Sequence, residues 1–234
     1  MPIFQLNHQY VFPRPEFASP DGILALGGDL APERLLLAYA SGIFPWYSDG
    51  DPIIWWSPDP RFVLFPSELH VPRSMQKILR KKTFTFSMDQ SFREVITHCR
   101  TQRLRSGTWI TLSMLEAYSL LHNLGFAHSI EAWQDGKLVG GLYGVSLGKV
   151  FFAESMFTLV DNAGKAALLT LVLTLRDWGF QLIDSQVHTE NVARFGAKDI
   201  PRSKYLRLLK QNLKDEGMAG SWSEKFKKSA LEVF

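Results

Sequence analysis

Two carboxylates and one amide lie in apolar segments of the sequence, where polar groups are costly unless they are paired. Glu154 follows Phe-Phe-Ala, and Asp184 follows Leu-Ile. Asp184 and Gln186 are two residues apart, so a regular strand would carry both on one face. Buried carboxylates more often bind a structural partner, but two of them also indicate a site that receives a cationic or reacting group. The residues alone leave both alternatives open.

A second group of residues could contact phosphates. Five cations fall within ten residues that contain no acidic residue, and helical spacing would place most of them on one face, opposite an apolar side. Such a stripe can neutralise several phosphates and release their counterions, so it favours RNA over a merely solvated helix face. The five cations are Arg73, Lys77, Arg80, Lys81 and Lys82, and a second, weaker cluster consists of Arg100, Arg103 and Arg105.

Three tryptophans lie in a Gly- and Pro-rich stretch rather than in a periodic element. An indole ring on a loop can stack on a nucleobase, which is typically worth ~1–3 kcal/mol per base. The alternative is a small core, since a Pro-rich region needs large side chains to bury. We expect Trp55 and Trp56 to be mainly structural and Trp46 to be the better stacking residue.

Several common cofactor motifs are absent from the sequence. Gly164-Lys165 does not form a phosphate loop, because Leu159 and Ala166 stand where Gly and Ser or Thr are needed. The single cysteine, Cys99, excludes a disulfide framework, and the six histidines have no zinc-ligand spacing. We therefore expect no metal and no cofactor, and, without a signal peptide or an apolar span, a cytoplasmic protein with no membrane contact.

The distribution of proline divides the chain into two parts, and both must help to position these residues. Eleven of the twelve prolines lie between Pro2 and Pro72, and proline fixes φ and removes a backbone donor. We predict a small, Pro-rich and loop-rich N-terminal domain over residues 1–62, with one helix at residues 32–41. A second domain would cover residues 63–234.

Hydrophobic spacing in the second part alternates between helical and strand periods. It predicts helices at about residues 73–82, 91–101, 113–125, 162–178 and 203–213. It predicts strands at about residues 83–88, 127–134, 137–147, 150–157 and 181–187. This order indicates an α/β or α+β domain with a mixed sheet flanked by helices.

Seven short strings give the sequence a family resemblance. They are Leu26-Gly-Gly-Asp-Leu30, Gly42-Ile-Phe-Pro-Trp46, Trp55-Trp-Ser-Pro-Asp-Pro-Arg61, Gly107-Thr-Trp-Ile-Thr111, Leu138-Val-Gly-Gly141, Glu154-Ser-Met-Phe157 and Leu182-Ile-Asp-Ser-Gln186. With them the chain resembles the bacterial leucyl/phenylalanyl-tRNA–protein transferases from about Gly22 to Leu206. The resemblance implies a small N-terminal domain and a C-terminal domain like that of the GNAT acyltransferases.

The same resemblance implies a reaction. Members transfer Leu or Phe, and less readily Met, from aminoacyl-tRNA to the N-terminal amine of proteins that begin with Arg or Lys, which marks these proteins for N-end rule degradation. Residues 159–165 lack the Gly-rich pyrophosphate loop that a CoA-dependent enzyme would carry before its long helix. The alternatives are nevertheless a CoA-dependent N-acyltransferase and a non-catalytic RNA-binding protein.

The resemblance also implies roles for individual residues. Gln186 would hold the amine or the tetrahedral centre, while Asp184 would orient it and support proton movement. Glu154 would either meet the acceptor's cation or shape the donor pocket. Independently of the resemblance, we expect the five cations between Arg73 and Lys82 to contact the acceptor stem, because phosphate contacts dominate such recognition. The donor pocket would be lined by Leu142, Met156, Leu168 and Ile183, with Trp46 and Trp109 near the terminal adenosine.

Overall fold

A four-stranded sheet forms the first part of the chain in the computed structural model, which describes residues 3–102 and 108–226. Its strand order is β1-β2-β4-β3, with only β1 and β2 parallel. Helix α1 begins at a proline, which suits the first helical position because that N–H needs no partner. The elements are β1 (Phe4–Leu6), β2 (Ile23–Gly27), α1 (Pro32–Ala40), β3 (Phe44–Pro45) and β4 (Ile54–Trp56).

These four strands were not predicted, because none is longer than five residues. So short a strand shows no usable alternation, and the prolines between the strands indicate loops. The helix at residues 32–41 is confirmed as α1.

The remaining elements build a seven-stranded sheet with strand order β11-β5-β10-β9-β8-β7-β6. Strands β9 and β10 are parallel, and all other neighbours are antiparallel. The strands are β5 (Arg61–Leu64), β6 (Thr85–Met88), β7 (Ala127–Gln134), β8 (Lys137–Leu147), β9 (Val150–Thr158), β10 (Leu182–Asp184) and β11 (Lys198–Ile200). The helices are α2 (Arg73–Arg80), α3 (Phe92–Thr101), α4 (Leu112–Asn123), α5 (Ala163–Asp177), α6 (Glu190–Ala193) and α7 (Arg202–Asn212).

Apolar side chains cover both faces of this sheet. One cluster joins α1, α3, α4 and α7 to the sheet, and the other joins α2 and α5 to it. The predicted fold class, a mixed sheet flanked by helices behind a small N-terminal region, is therefore confirmed. None of the helices in the described ranges is long and apolar enough to cross a membrane.

The strand predicted at residues 181–187 is wrong at its end, because β10 stops at Asp184. Gln186 has a φ of +65°, in the left-handed region that few residues other than glycine adopt, so the chain turns away from the sheet. Strand β5, helix α6 and strand β11 were missed because they contain only four, four and three residues.

The two parallel strands separate soon after they meet. They pair only from Leu182 beside Val150 to Asp184 beside Phe152. Beyond this point β9 continues to Thr158, whereas β10 ends, and α5 connects the two strands. An opening beyond the carboxyl end of a parallel strand is a common place for ligand binding in α/β proteins.

Candidate active site

Glu154 lies on β9, two residues past the last pair between β9 and β10. Its Oε1 atom accepts hydrogen bonds from the Tyr39 hydroxyl at 2.6 Å and from Gln186 Nε2 at 2.7 Å. The Oε2 atom is buried and has no partner among the residues that the structure describes. The carboxylate is thus held on one side, and its other oxygen is buried and unpaired.

The acidity of Glu154 reflects this environment. Burial raises the pKa of its carboxyl to about 7, although the hydrogen bonds from Tyr39 and Gln186 favour the charged form. A group with this pKa exchanges a proton readily near neutral pH.

Asp184 has different surroundings, because both of its oxygens are occupied. Arg61 donates from Nε to Oδ1 at 2.8 Å and from Nη2 to Oδ2 at 2.7 Å. The Tyr205 hydroxyl donates to Oδ2 at 2.7 Å. Arg61 and Asp184 are both fully buried, so this bidentate pair compensates their charges inside the protein.

The Asp184 carboxylate also holds the turn that places Gln186. The backbone N–H of Gln186 donates to Asp184 Oδ1 at 2.9 Å, which fixes the left-handed conformation at Gln186. The Gln186 side chain, only 8% exposed, then reaches Glu154. Asp184 and Gln186 therefore lie together as the sequence indicated, but through this turn and not through a regular strand.

A cavity of about 180 Å³ opens where β9 and β10 separate. Leu142, Met156, Leu168 and Val192 supply its apolar wall, and Ile183 is fully buried in the core and does not line it. The polar part of the lining is Glu154, Ser155, Ser185, Thr189 and Asn191. Four of the residues named for the donor pocket or its surroundings, Leu142, Glu154, Met156 and Leu168, thus meet in one place.

The tryptophans named from the sequence lie outside this lining. Trp55 is fully buried and donates from Nε1 to the Gly27 carbonyl, and Trp56 donates to the Trp46 carbonyl, so both are structural as expected. Trp46 is 39% exposed and packs its ring against Trp56 at 5.5 Å. Trp109 is half-buried against the core.

The basic residues form an open concave surface on α2. Arg73, Lys77, Arg80 and Lys81 line it, and Lys82 follows in the turn. All five are exposed, and none pairs with an acidic side chain within the described ranges. In the second, weaker basic cluster, Arg100 is half-buried near the end of α3, and Arg103 and Arg105 lie outside the described residues. Gly107 also lies outside them.

Sequence reasoning missed the residues that hold the two carboxylates, Tyr39, Arg61, Tyr118 and Tyr205. It also missed part of the cavity lining, namely Ala153, Ser155, Ser185, Thr189, Asn191 and Val192. Arg61 lies 123 positions from its partner Asp184, and Tyr39 lies 115 positions from Glu154, distances that no local periodicity can bridge. The one available signal was Arg61 itself, a cation directly before the apolar run Phe-Val-Leu. No group of three or more metal-ligating side chains occurs in the described part of the chain.

Comparison with known proteins decides the family. The model of the leucyl/phenylalanyl-tRNA protein transferase family matches residues 63–210, and the model of that family's N-terminal domain matches residues 28–59. The chain belongs to this family. Its activity is accordingly the transfer of an aminoacyl group that a tRNA delivers.

Individual relatives agree over nearly the whole length. The chain is 54% identical to a leucyl/phenylalanyl-tRNA–protein transferase of Myxococcus xanthus over 96% of this chain and 97% of that one. It is 53% identical to the enzyme of the same name from Anaeromyxobacter dehalogenans, over 95% of this chain and 96% of that one. An aminoglycoside acetyltransferase structure from a soil metagenome overlaps 56% of this chain and 89% of its own, with 14% identity and a TM-score of 0.38.

Proposed function

We propose that the enzyme transfers Leu or Phe, and less readily Met, from aminoacyl-tRNA to the N-terminal amine of proteins that begin with Arg or Lys. Its products would be marked for N-end rule degradation, and its place would be the cytoplasm, where charged tRNA is found. The relatives' names supply the two donors. The acceptor class, proteins that begin with Arg or Lys, is supported by the charge of the cavity.

The observation that carries the proposal is the cavity between β9 and β10, whose lining has an apolar part and a polar part. Leu142, Met156 and Leu168 offer an apolar wall against which an aliphatic side chain without β-branching, or an aromatic one, can pack. Such a wall separates side chains that differ by one methylene by only about 1–3 kcal/mol, which agrees with several donors of graded efficiency. Opposite lie the polar groups, where an ester carbonyl and an amine would meet.

We assign the holding of the reacting groups to Gln186, which is not itself part of the cavity lining but contacts Glu154, which is. Its amide nitrogen donates to Glu154, which leaves its amide oxygen as an acceptor for the N–H groups of an incoming amine. Asp184 acts through Gln186, because its own oxygens are occupied by Arg61, Tyr205 and the Gln186 backbone. The contacts favour an orienting role for Asp184. Holding amine and ester in contact can supply a large part of the rate.

Negative charge near the cavity supports a cationic acceptor. Glu154 is the one acidic residue in the described lining, and a terminal Arg or Lys brings an ammonium group together with a cationic side chain. The tRNA would be contacted by α2, since phosphate contacts position a nucleic acid without reading its sequence.

The test is a transfer assay with purified enzyme, labelled Leu-tRNA and a peptide that begins with Arg, without ATP or CoA. A peptide identical except for an initial Asp is the matched control. We expect one Leu to be added to the N-terminus of the Arg peptide alone, as seen by mass spectrometry. Equal transfer to both peptides would contradict the acceptor class. Tight tRNA binding without any transfer would contradict the reaction.

A further inference from the structure

The Glu154 carboxylate is bound asymmetrically. Oε1 accepts two hydrogen bonds, whereas Oε2 is buried without a partner in the described part of the chain. A buried acceptor that remains unsatisfied typically costs about 1–3 kcal/mol. The Ser155 hydroxyl, next to it on β9, is also buried without a partner, and both residues line the cavity. The unpaired Oε2 of Glu154 indicates that a hydrogen-bonding ligand group binds at this part of the cavity.

A pair of tyrosines holds the occupied side of the carboxylate. Tyr39 on α1 donates to Glu154 Oε1 and is itself hydrogen bonded to the hydroxyl of Tyr118 on α4. Since the Tyr39 proton points to Glu154, Tyr118 must donate to the Tyr39 oxygen. Burial raises the pKa of both hydroxyls well above the usual range, so both remain neutral donors.

We propose that Glu154 takes a proton from the incoming acceptor ammonium through Oε2, and that Tyr39 and Tyr118 are positioning residues that hold its carboxylate. This inference rests on the proposed function, because an N-terminal amine is largely protonated at pH 7 and cannot attack in that form. Gln186 would accept a second N–H of the same group. The nucleophile is therefore produced inside the cavity.

The proton and electron balance of the step is complete. One N–H bond of the ammonium breaks, its electron pair stays on nitrogen, and an O–H bond forms on Glu154. The amine then attacks the ester carbonyl, and the carbon–oxygen bond to the ribose breaks. The ribose oxygen takes the second proton that the nitrogen loses. Glu154 releases its proton to solvent, so each peptide bond formed releases one proton.

The charged groups around Glu154 are few. The negative charge of Asp184 raises the pKa of Glu154, and Arg61 compensates the charge of Asp184. Tyr39 and Gln186 donate to the carboxylate and lower that pKa, as does the neighbouring Tyr118 hydroxyl behind Tyr39, against the larger effect of burial. Removing one of these donors should therefore raise the pKa of Glu154 further.

The first experiment measures this titration directly, without the reaction. Carboxyl-13C-labelled glutamate is incorporated into the full chain, and the Glu154 signal is assigned by its loss in Glu154→Gln. We expect a midpoint of about 7 in the wild type. Tyr39→Phe should raise the midpoint, whereas the matched control Tyr10→Phe, at a 45% exposed tyrosine, should leave it unchanged. A wild-type midpoint in the range of exposed glutamates would overturn the proposal.

The second experiment follows kcat/KM for the Arg peptide against pH in the same variants. The wild type should show a rise at the midpoint found by NMR, and Tyr39→Phe should move this rise in parallel. Glu154→Gln should lose it and fall by ~100-fold at pH 7, the lower range for a general base. A rise near pH 8 from the acceptor amine should persist in every variant.

The two experiments separate the proposals. Normal transfer with an unmoved rise in Tyr39→Phe, or a rise near 7 that persists in Glu154→Gln, would overturn the role of Glu154 and leave the proposed function intact. Failure of the wild type to transfer at any pH, with the NMR midpoint near 7, would overturn both.

Discussion

Asp184 and Glu154 are both carboxylates in apolar surroundings, yet their contacts give them different roles. Asp184 binds a buried guanidinium, a hydroxyl and a backbone N–H, so no oxygen remains for a substrate. Glu154 keeps one buried oxygen free and faces a cavity. The sequence indicated both residues by the same signal, and only their distant partners distinguish the fully paired carboxylate from the one that keeps an unpaired oxygen.

A single hydroxyl tests the anchoring role of Asp184. Tyr205→Phe removes one donor to the charged Asp184 and leaves the ring in place. We expect the free energy of unfolding in urea to fall by about 1.5–3 kcal/mol, the usual contribution of a hydrogen bond to a charged group. Tyr10→Phe, at an exposed tyrosine, is the matched control. Equal stability of the two variants would show that Asp184 does not depend on this contact.

At the scale of elements, the site results from the short pairing of β9 with β10. Length and strong periodicity made β7, β8, β9 and α5 predictable, and the Asp135-Gly136 turn identified the β7–β8 hairpin. The sequence did not reveal that β10 stops at Asp184, because a left-handed Gln186 has no local signature. Hydrophobic periodicity therefore could not predict the turn that shapes the cavity.

Helix α2 allows a prediction about tRNA. Reversal of Lys77, Arg80 and Lys81 to Glu should raise the KM for Leu-tRNA and reduce its salt dependence. The slope of log affinity against log salt should fall in magnitude by roughly 2–3 for three lost phosphate contacts. Binding is measured by filter retention between about 50 and 200 mM salt.

The matched control reverses three exposed cations of α7, Lys204, Arg207 and Lys210. We expect this variant to retain the wild-type salt slope. An unchanged slope in the α2 variant would indicate that the cluster that begins at Arg100, and not α2, contacts the tRNA phosphates.

At the scale of the whole molecule, the site joins the two sheets. Tyr39 comes from the first part of the chain and contacts Glu154, and Arg61 donates to the Gly42 carbonyl as well as to Asp184. The C-terminal segment also docks on the second sheet through Trp222, which is fully buried and stacks on His128 at 3.7 Å. Contacts between such distant parts of the chain cannot be predicted from local sequence patterns. These patterns predicted the fold class but not the residues that bind the site carboxylates.

The protonation of Glu154 should appear in the stability of the molecule. Its pKa is raised from 4.5 to about 7 by burial, so the folded state binds the proton more tightly than the unfolded state. The stabilisation from protonation is fully present below pH 4.5 and is lost as the pH rises to about 7. We expect the unfolding free energy of the wild type relative to Glu154→Gln to fall by up to about 3 kcal/mol across this window.

Urea unfolding at a series of pH values measures this difference. Glu216→Gln, at an exposed glutamate, is the control and should differ from the wild type by a constant amount. A wild-type curve parallel to that of Glu154→Gln would contradict a raised pKa at Glu154.

The most direct test of the account is the single-turnover rate of Leu transfer from enzyme-bound Leu-tRNA to the Arg peptide in Gln186→Ala. Gln181→Ala, at an exposed glutamine just before β10, is the matched control. We predict that Gln186→Ala slows transfer by ~100-fold or more while tRNA affinity stays within about twofold, as expected for a group that acts on the reacting atoms. A transfer rate within about threefold of the wild type and of Gln181→Ala would contradict the assignment of this cavity as the site of the reaction.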